Sequence, residues 1–333
     1  MKQGVLTMLR AAGLFALSAR LTASSLRILG YHGLWTLPGR PFGENLFMDV
    51  DHFHERMRWL SEAGYPVLDL DEAVKLLAAG RLPPRAVVIT IDDGWRSTYS
   101  HMLPVLEEFR LPATLYLSTW YADRTLPVLN VALAFLIGRT RMETIDLSGI
   151  APGLEGVARP EEEGRVALSA RIFEAIDRLP VADRQPAFDR IVDRAGADPA
   201  VLASQFCYMT AGEIRDASRR GLRIELHTHR HRSVTRHLGE MASEIDENRA
   251  ALRRAGAGQH FEHFCYPGGY YQPEVEPVLV ERGILSATLA DRGLNPPGSH
   301  LLRLRRLLDG PRVSQVEFEA WLAGMFEPID RRR

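Results

Sequence analysis

The 333-residue sequence predicts an α/β fold, a distorted or incomplete (β/α) barrel that carries a helical insertion. Short runs of β-branched and aliphatic residues recur along the chain, and each has the length and composition of a buried strand. Amphipathic helical patterns separate these runs, as they do in parallel β/α units. Between residues 120 and 206 the alternation stops and helical patterns dominate, which indicates the insertion.

Strand and helix segments alternate on both sides of the insertion. Seven or eight strands are predicted, at 27–31, 66–68, 113–118, 284–289 and 301–307 and in the runs that begin at Ala86, Leu222 and Phe264. The predicted helices cover 51–63, 71–79, 97–109, 240–255, 274–282 and 316–325, together with one that follows Thr210, where Glu213 completes a capping box. The barrel therefore occupies residues 26–310, and a C-terminal helix and tail occupy 311–333.

The first 25 residues form a segment of their own. Lys2 and Arg10 precede a short apolar run at 11–19, which resembles a weak export signal. The run is too short to span a bilayer. We expect an uncleaved N-terminal helix on a cytoplasmic protein, with peripheral membrane contact through this segment and export as the alternatives that stay open.

The insertion at 120–206 contains an apolar helical run at 128–137 and amphipathic ones at 161–178 and 183–195. We expect it to lie over the mouth of the barrel. There it would act either as a lid or substrate-selecting cap, or as a structural excursion without a role in the reaction.

Composition excludes some classes of function. The formal net charge is −1 and no basic stripe is present, which argues against binding to nucleic acid. Cys207 and Cys265 are the only cysteines, so a disulfide framework is not indicated.

Polar residues collect where predicted strands end. Asp92 and Asp93 close the strand that begins at Ala86, and two adjacent carboxylates at a strand end favour a bound cation or a shared proton. His227 and His231, four residues apart, follow the strand that begins at Leu222. Two histidines and one carboxylate make a three-ligand metal site with open positions. A solvated Asp-Asp-Gly turn and a surface cluster of His and Arg are the alternatives.

Three motifs resemble those of the polysaccharide deacetylase family, also called the NodB-homology family or carbohydrate esterase family 4. They are Thr90-Ile91-Asp92-Asp93-Gly94, His227-Thr228-x-x-His231 and Phe264-Cys265-Tyr266-Pro267-Gly268-Gly269, in the family's order. The similarity extends over 27–120 and 207–309. It implies a metal-dependent hydrolase that removes an N-acetyl group from a sugar in a glycan or glycolipid.

The resemblance also implies roles for individual residues. Asp93, His227 and His231 would hold a divalent metal, most plausibly Zn²⁺, and metal-bound water would be the nucleophile. Asp92 would be the general base, although spacing alone does not distinguish it from Asp93. The backbone N–H of Tyr266 would stabilise the oxyanion.

The sequence departs from the family at two positions. Cys265 stands where many members have the arginine that partners the catalytic aspartate, so that partner is expected to be missing. The late motif that supplies the general acid has no clear counterpart, because His300 lies in a Pro/Gly-rich loop. His32, at the end of the first predicted strand, or a water would serve instead. A deformylase or small linear-amide hydrolase, or an inactive carbohydrate-binding relative, are the alternative functions.

Overall fold

The computed structural model describes residues 2–43, 45–122, 124 and 126–327. The chain divides into two compact units, one built from the described residues up to Trp120 and from Ala211 onward, the other from Tyr121–Thr210. The first unit contains the barrel. The position of the inserted segment over the barrel mouth, and its role as a lid, stay predictions.

The barrel confirms the predicted fold class. Seven parallel strands close it, in the order β1, β11, β10, β9, β8, β5 and β4. The strands in chain order are β1 (Arg27–Tyr31), β2 (Gly33–Trp35), β3 (Phe47–Asp49), β4 (Val87–Asp93), β5 (Ala113–Leu117), β6 (Ile145–Asp146), β7 (Val157–Ala158), β8 (Arg223–Leu226), β9 (His263–Cys265), β10 (Ser286–Arg292) and β11 (Leu304–Leu308).

Helices separate most barrel strands. In chain order they are α1 (Lys2–Ala11), α2 (Leu14–Leu21), α3 (Val50–Glu62), α4 (Leu70–Ala78), α5 (Leu103–Glu108), α6 (Leu129–Arg139), α7 (Pro160–Glu163), α8 (Arg165–Asp177), α9 (Val181–Arg194), α10 (Pro199–Phe206), α11 (Ala211–Arg219), α12 (Met241–Ala255), α13 (Glu276–Glu281) and α14 (Gln315–Leu322).

Strand β4 lies fully within the core, because all seven of its residues are buried. It pairs with β1 from Arg27↔Val87 to Tyr31↔Ile91 and with β5 from Ile89 to Asp93. In a parallel barrel the C-terminal ends of all strands meet at one face. The polar residues that end β1, β4 and β8 are therefore brought to the same rim.

Three predicted segments differ from the structure. The strand predicted at 66–68 is reduced to a bridge between Val67 and Val87, because β5 takes that edge of β4 from Ile89 onward. The predicted helix at 97–109 begins with a π-helical turn before α5. The last barrel strand begins only at Leu304, after a 3₁₀ turn.

The N-terminal segment forms two helices rather than one. Gly13, with φ of 77°, separates α1 from α2 in a left-handed conformation that glycine adopts without strain. Among the described residues no single helix is long and apolar enough to cross a membrane. Taken together, the helices Gln3–Ala11 and Leu14–Leu21 are long and apolar enough, but they are bent by 81° relative to each other.

The second unit is helical, as predicted, and consists of α6 to α10 with one short antiparallel pair of strands, β6 and β7. Its core includes the packing of Phe135 on Phe206, with ring centroids 5.0 Å apart, and of Tyr121 on Tyr208.

Candidate active site

Three of the predicted site residues converge at the rim of the barrel. Oδ1 of Asp93 lies 3.4 Å from Nε2 of His227 and 3.3 Å from Nε2 of His231. Asp93 and His227 are buried, whereas the His231 side chain is 40 % exposed. Two imidazole nitrogens and one carboxylate oxygen thus face one point, within 4.8 Å of one another. This donor set suits a divalent metal that keeps an open side toward solvent.

The hydrogen bonds behind these side chains orient them for ligation. Nδ1 of His227 lies 2.8 Å from the carbonyl oxygen of Cys265, so Nδ1 carries the hydrogen and the Nε2 lone pair points toward Asp93. Trp95 donates its indole N–H to Oδ2 of Asp93 at 2.9 Å, which leaves Oδ1 toward the histidines. Second-layer contacts of this kind fix the ligand tautomer and orientation.

A second group of potential ligands, Asp92, His227 and Cys265, also lies within 4.8 Å. It suits a metal less well. Both carboxylate oxygens of Asp92 accept hydrogen bonds from Arg306, and Nδ1 of His227 bonds to a carbonyl. We therefore take the group with Asp93 as the candidate metal centre.

The backbone of the candidate metal centre is strained. Asp93, Thr228 and His231 have φ values of 75°, 62° and 56°, in the left-handed region that side chains other than glycine rarely occupy. Such strain is retained where the surrounding structure enforces it, and it concentrates at functional sites. Here it occurs where the chain leaves β4 and in the loop after β8, the two segments that carry the ligand side chains.

Helix α12 braces the histidine loop from behind. Oδ1 of Asn248 accepts the backbone N–H of His227 at 3.0 Å, and its amide nitrogen donates to the carbonyl of Leu117. One turn earlier, Glu244 accepts the backbone N–H of Arg230 at 2.7 Å and pairs with its guanidinium. Asn248 and Glu244 are both fully buried, so these contacts hold the loop between His227 and Arg230 in place.

Asp92 has an arginine partner, contrary to the sequence-based expectation. Nη1 and Nη2 of Arg306 donate to Oδ1 and Oδ2 of Asp92, both at 2.7 Å. Cys265, at the position of the usual arginine, approaches Oδ2 with its sulfur at 3.6 Å. The ion pair is therefore present, but its arginine comes from β11 instead of β9.

The Arg306 guanidinium passes Gly30 of β1 on its way to Asp92. In the strand order β1 lies between β11 and β4, so Arg306 reaches Asp92 past β1. A Cβ at Gly30 would lie 3.5 Å from Nη1 of Arg306 and 2.4 Å from a methyl carbon of Leu308. The distance to Nη1 is an ordinary van der Waals contact, so a Cβ at Gly30 would require the Leu308 side chain to shift and would leave the guanidinium its space.

Both carboxylates are held in the ionised form. Burial alone would raise the pKa of Asp92, but the charge and hydrogen bonds of Arg306 lower that pKa below its ordinary value. Burial likewise opposes ionisation of Asp93, and the neighbouring imidazoles of His227 and His231 hold its pKa well below the ordinary value. A deprotonated Asp93 is what metal ligation requires, and a deprotonated Asp92 is able to accept a proton.

His32 reaches the same rim from the end of β1. Its Nε2 lies 3.8 Å from Oδ2 of Asp92, and its side chain is 22 % exposed. The imidazole is therefore close to the buried carboxylate and partly accessible to solvent. His300, the other histidine considered from sequence, points elsewhere: its Nδ1 accepts the N–H of Leu302, and its Nε2 lies 3.6 Å from Glu276.

Tyr266, the predicted oxyanion donor, has both polar groups engaged. Its backbone N–H donates to the carbonyl of Thr288 at 3.2 Å, and its hydroxyl donates to the carbonyl of Leu302 at 2.9 Å. An oxyanion would have to share this N–H or displace Thr288. The oxyanion role of Tyr266 stays a prediction.

Sequence reasoning missed Arg306, Trp95 and Asn248. A signal for Arg306 was present in the predicted last strand. Side chains alternate between faces along a strand, so Arg306 shares the face of the apolar Leu304, whereas Arg303 and Arg305 share the opposite one. An arginine on the apolar face of a strand needs a buried partner. Trp95 and Asn248 carried no comparable pattern.

Comparison with known proteins finds similarity to polysaccharide deacetylases. A family profile described as polysaccharide deacetylase matches residues 79–167 and 186–286. The putative polysaccharide deacetylase YxkH of Bacillus subtilis is 32 % identical over 95 residues, 28 % of this chain and 32 % of that protein. The poly-beta-1,6-N-acetyl-D-glucosamine N-deacetylase of Escherichia coli K12 is 38 % identical over 70 residues, 20 % of this chain and 10 % of that protein. The aligned stretches thus span a third or less of these relatives.

Solved structures share the fold over most of the chain. The deacetylase PplD of Streptococcus pyogenes superposes with a TM-score of 0.59 at 15 % identity, covering 90 % of this chain and 99 % of that one. IcaB from Ammonifex degensii superposes with a TM-score of 0.58 at 18 % identity, covering 90 % and 97 %. At these low sequence identities, the structural similarity shows a shared fold and no more than that.

Proposed function

This chain belongs to the polysaccharide deacetylase family, and we propose that it is a metal-dependent hydrolase that removes the N-acetyl group from a sugar of a glycan or glycolipid. The observation that carries the proposal is the arrangement of Asp93, His227 and His231 beside the ion-paired Asp92. Two relatives, from Escherichia coli and Staphylococcus epidermidis, are N-deacetylases of poly-beta-1,6-N-acetyl-D-glucosamine, and their activity supports the reaction class.

Asp93, His227 and His231 would hold the cation, and Zn²⁺ is the metal we propose. Two neutral imidazoles and one carboxylate are ligands that zinc accepts in catalytic sites, with a position left for water or substrate. The Nε2 atoms of His227 and His231 and Oδ1 of Asp93 fit this donor set. When bound, the metal would supply Lewis acidity that polarises the amide carbonyl and acidifies water.

Asp92 is the proposed general base. Arg306 keeps it ionised in a buried site, and the guanidinium uses one lone pair on each oxygen, so Oδ1, which the Cys265 thiol does not approach, retains another for a proton. The pairing also fixes the carboxylate plane. Asp92 therefore accepts a proton from an attacking water with little reorganisation.

His32 is the proposed general acid. Amide hydrolysis must protonate the departing amine, and a partly exposed imidazole near the base is able to deliver that proton. The water alternative that the sequence left open would leave this step without a positioned side chain. The backbone N–H of Tyr266 remains the proposed oxyanion donor, at the expense of its bond to Thr288.

The test combines metal content with acetate release. Purified wild type, His231→Ala and the exposed-residue control His260→Ala are analysed for bound metal by mass spectrometry. All three are incubated with an N-acetylated glucosamine oligomer. We expect near-stoichiometric metal and chelator-sensitive acetate release in wild type and control, and loss of both in His231→Ala.

Two results would count against the proposal in different ways. Metal without acetate release from any N-acetylated glycan would contradict the substrate class and direct the search to formyl or linear amides. No metal in the wild type under metal-replete conditions would contradict the mechanism.

A further inference from the structure

The outward face of α1 and α2 is a surface that the proposed reaction does not use. The inward face packs on α14: Leu6, Phe15 and Ala19 form a cluster with Ala320 and Ala323. The two helices therefore belong to the folded unit, and their removal would uncover α14.

Polar contacts fix the same arrangement. Arg10 pairs with Glu319 of α14 at 2.9 Å. The buried Arg27 donates to the carbonyls of Thr22 and Leu322, which ties the end of α2 to the end of α14. Because both helices are held at these points, the direction of their outward face is defined.

That outward face is strongly apolar. Large exposed apolar side chains in the described part of the barrel unit are concentrated here: Leu21 is 78 % exposed and Met8 65 %. Five such side chains lie in the first 21 residues and three elsewhere in the unit, namely Val5, Met8, Leu14, Leu17 and Leu21 against Tyr270, Val280 and Leu285. Such a concentration of exposed apolar side chains on two consecutive helices indicates a binding face.

The charged residues of this N-terminal segment itself are all basic, although Arg10 is paired with Glu319 of α14. No aspartate or glutamate precedes Glu44 in the sequence, whereas Lys2, Arg10 and Arg20 lie within the first 20 residues. Arg20 is exposed on α2. Exposed apolar side chains beside Arg20, on a segment that has no acidic residue of its own, match an anionic lipid surface, where headgroups attract arginine and acyl chains receive the apolar side chains.

The bend between α1 and α2 determines how the two helices can contact a bilayer. Together they are long and apolar enough for a membrane span, but their axes are bent by 81°. At about 1.5 Å per residue each is far shorter than the roughly 30 Å hydrocarbon core. Lying in the interface buries the exposed aliphatic residues without requiring a crossing.

The side chains also favour lipid over a second copy of the chain. Protein interfaces are enriched in aromatic residues, methionine and arginine. None of the five exposed residues is aromatic and four are aliphatic, a composition that acyl chains accommodate without specific contacts. We propose that the N-terminal face, defined as the outward side of α1 and α2 with Val5, Met8, Leu14, Leu17 and Leu21, binds the surface of an anionic phospholipid bilayer.

The experiment is vesicle co-flotation of the full chain, with phosphatidylcholine vesicles and with vesicles containing about one third phosphatidylglycerol. The test variant is Leu17→Gln/Leu21→Gln. Its matched control, Val280→Gln/Leu285→Gln, removes two exposed aliphatic residues elsewhere on the barrel unit. Thermal unfolding of each protein verifies that the fold is retained, and Arg20→Gln tests the charge contribution.

We expect wild type and control to float with the anionic vesicles and much less with neutral ones. The leucine variant should lose about tenfold in partitioning, and Arg20→Gln about fivefold, with a dependence on salt.

Wild type that floats with neither vesicle, or equal losses in the leucine variant and its control, would overturn the proposal. So would a wild type that is dimeric by light scattering and becomes monomeric through the leucine substitutions without any vesicle binding. None of these readouts depends on deacetylase activity.

Discussion

The ion pair of Arg306 with Asp92 leads to a quantitative prediction, because Arg306 neutralises a carboxylate that is buried away from solvent. Asp92 is 3 % exposed and Arg306 is 2 % exposed, and the pair is joined by two hydrogen bonds of 2.7 Å. Arg306→Met removes the guanidinium and leaves Asp92 as an uncompensated buried charge. Breaking a buried ion pair in this way costs about 3–5 kcal/mol of unfolding free energy.

A double-mutant cycle separates the ion pair from the packing of the arginine stem. Asp92→Asn alone leaves Arg306 charged and unpaired, so it also destabilises the protein. The double variant carries no unpaired charge, and its loss should be smaller than the sum of the two single losses by about 2–3 kcal/mol. Arg306→Lys keeps the charge but loses the bidentate geometry, and it should fall between wild type and Arg306→Met.

Urea denaturation followed by tryptophan fluorescence measures these free energies. The measurement is made at neutral pH with a chelator, so that metal binding does not contribute to stability. Additive losses in the cycle would refute the reasoning, since they would mean that Arg306 acts through packing and not through the charge of Asp92.

Three further predictions concern the support of the metal ligand His227, the proposed general acid His32, and the pH dependence of stability. Asn248→Ala releases the backbone of His227 and should weaken zinc affinity, measured by calorimetry, about 10- to 100-fold; an unchanged affinity would contradict the bracing role. His32→Gln should lower kcat for acetate release about 10²- to 10⁴-fold with metal content unchanged, whereas a near-normal kcat would eliminate His32 as the acid. Burial raises the pKa of Glu225 from 4.5 to about 7, so the folded chain keeps a proton that the unfolded chain releases, and this group removes stability as pH rises between those values. The unfolding free energy of Glu225→Gln should therefore rise by about 3 kcal/mol relative to that of wild type as the pH increases from 4.5 to 7. A difference in unfolding free energy that does not change with pH in denaturation experiments would refute the raised pKa of Glu225.

Much of the fold was predictable because its determinants are local. A buried parallel strand needs a continuous apolar run, and β1 and β4 have such runs at the predicted positions. Parallel strands end at a common rim, so Asp92, Asp93 and His227 were expected together from their positions at strand ends. The structure brings these three residues and His231 to one site.

Boundaries were predicted less well where neighbours compete for one strand edge. The segment at 66–68 has a strand-like sequence, but β5 occupies the edge of β4 that it would need. The separation of α1 from α2 follows from Gly13, whereas the choice of which face packs on α14 depends on residues 300 positions away.

The sequence by itself determined the barrel, the four residues of its rim and the family. Only the tertiary structure decided the partner of Asp92, because Arg306 is 214 residues away and reaches it across Gly30 of an intervening strand. The same holds for the bond between the Tyr266 amide and Thr288 and for the support of His227 by Asn248. Local patterns specify strands and the residues at their ends, but hydrogen bonds between distant strands exist only once the barrel has closed.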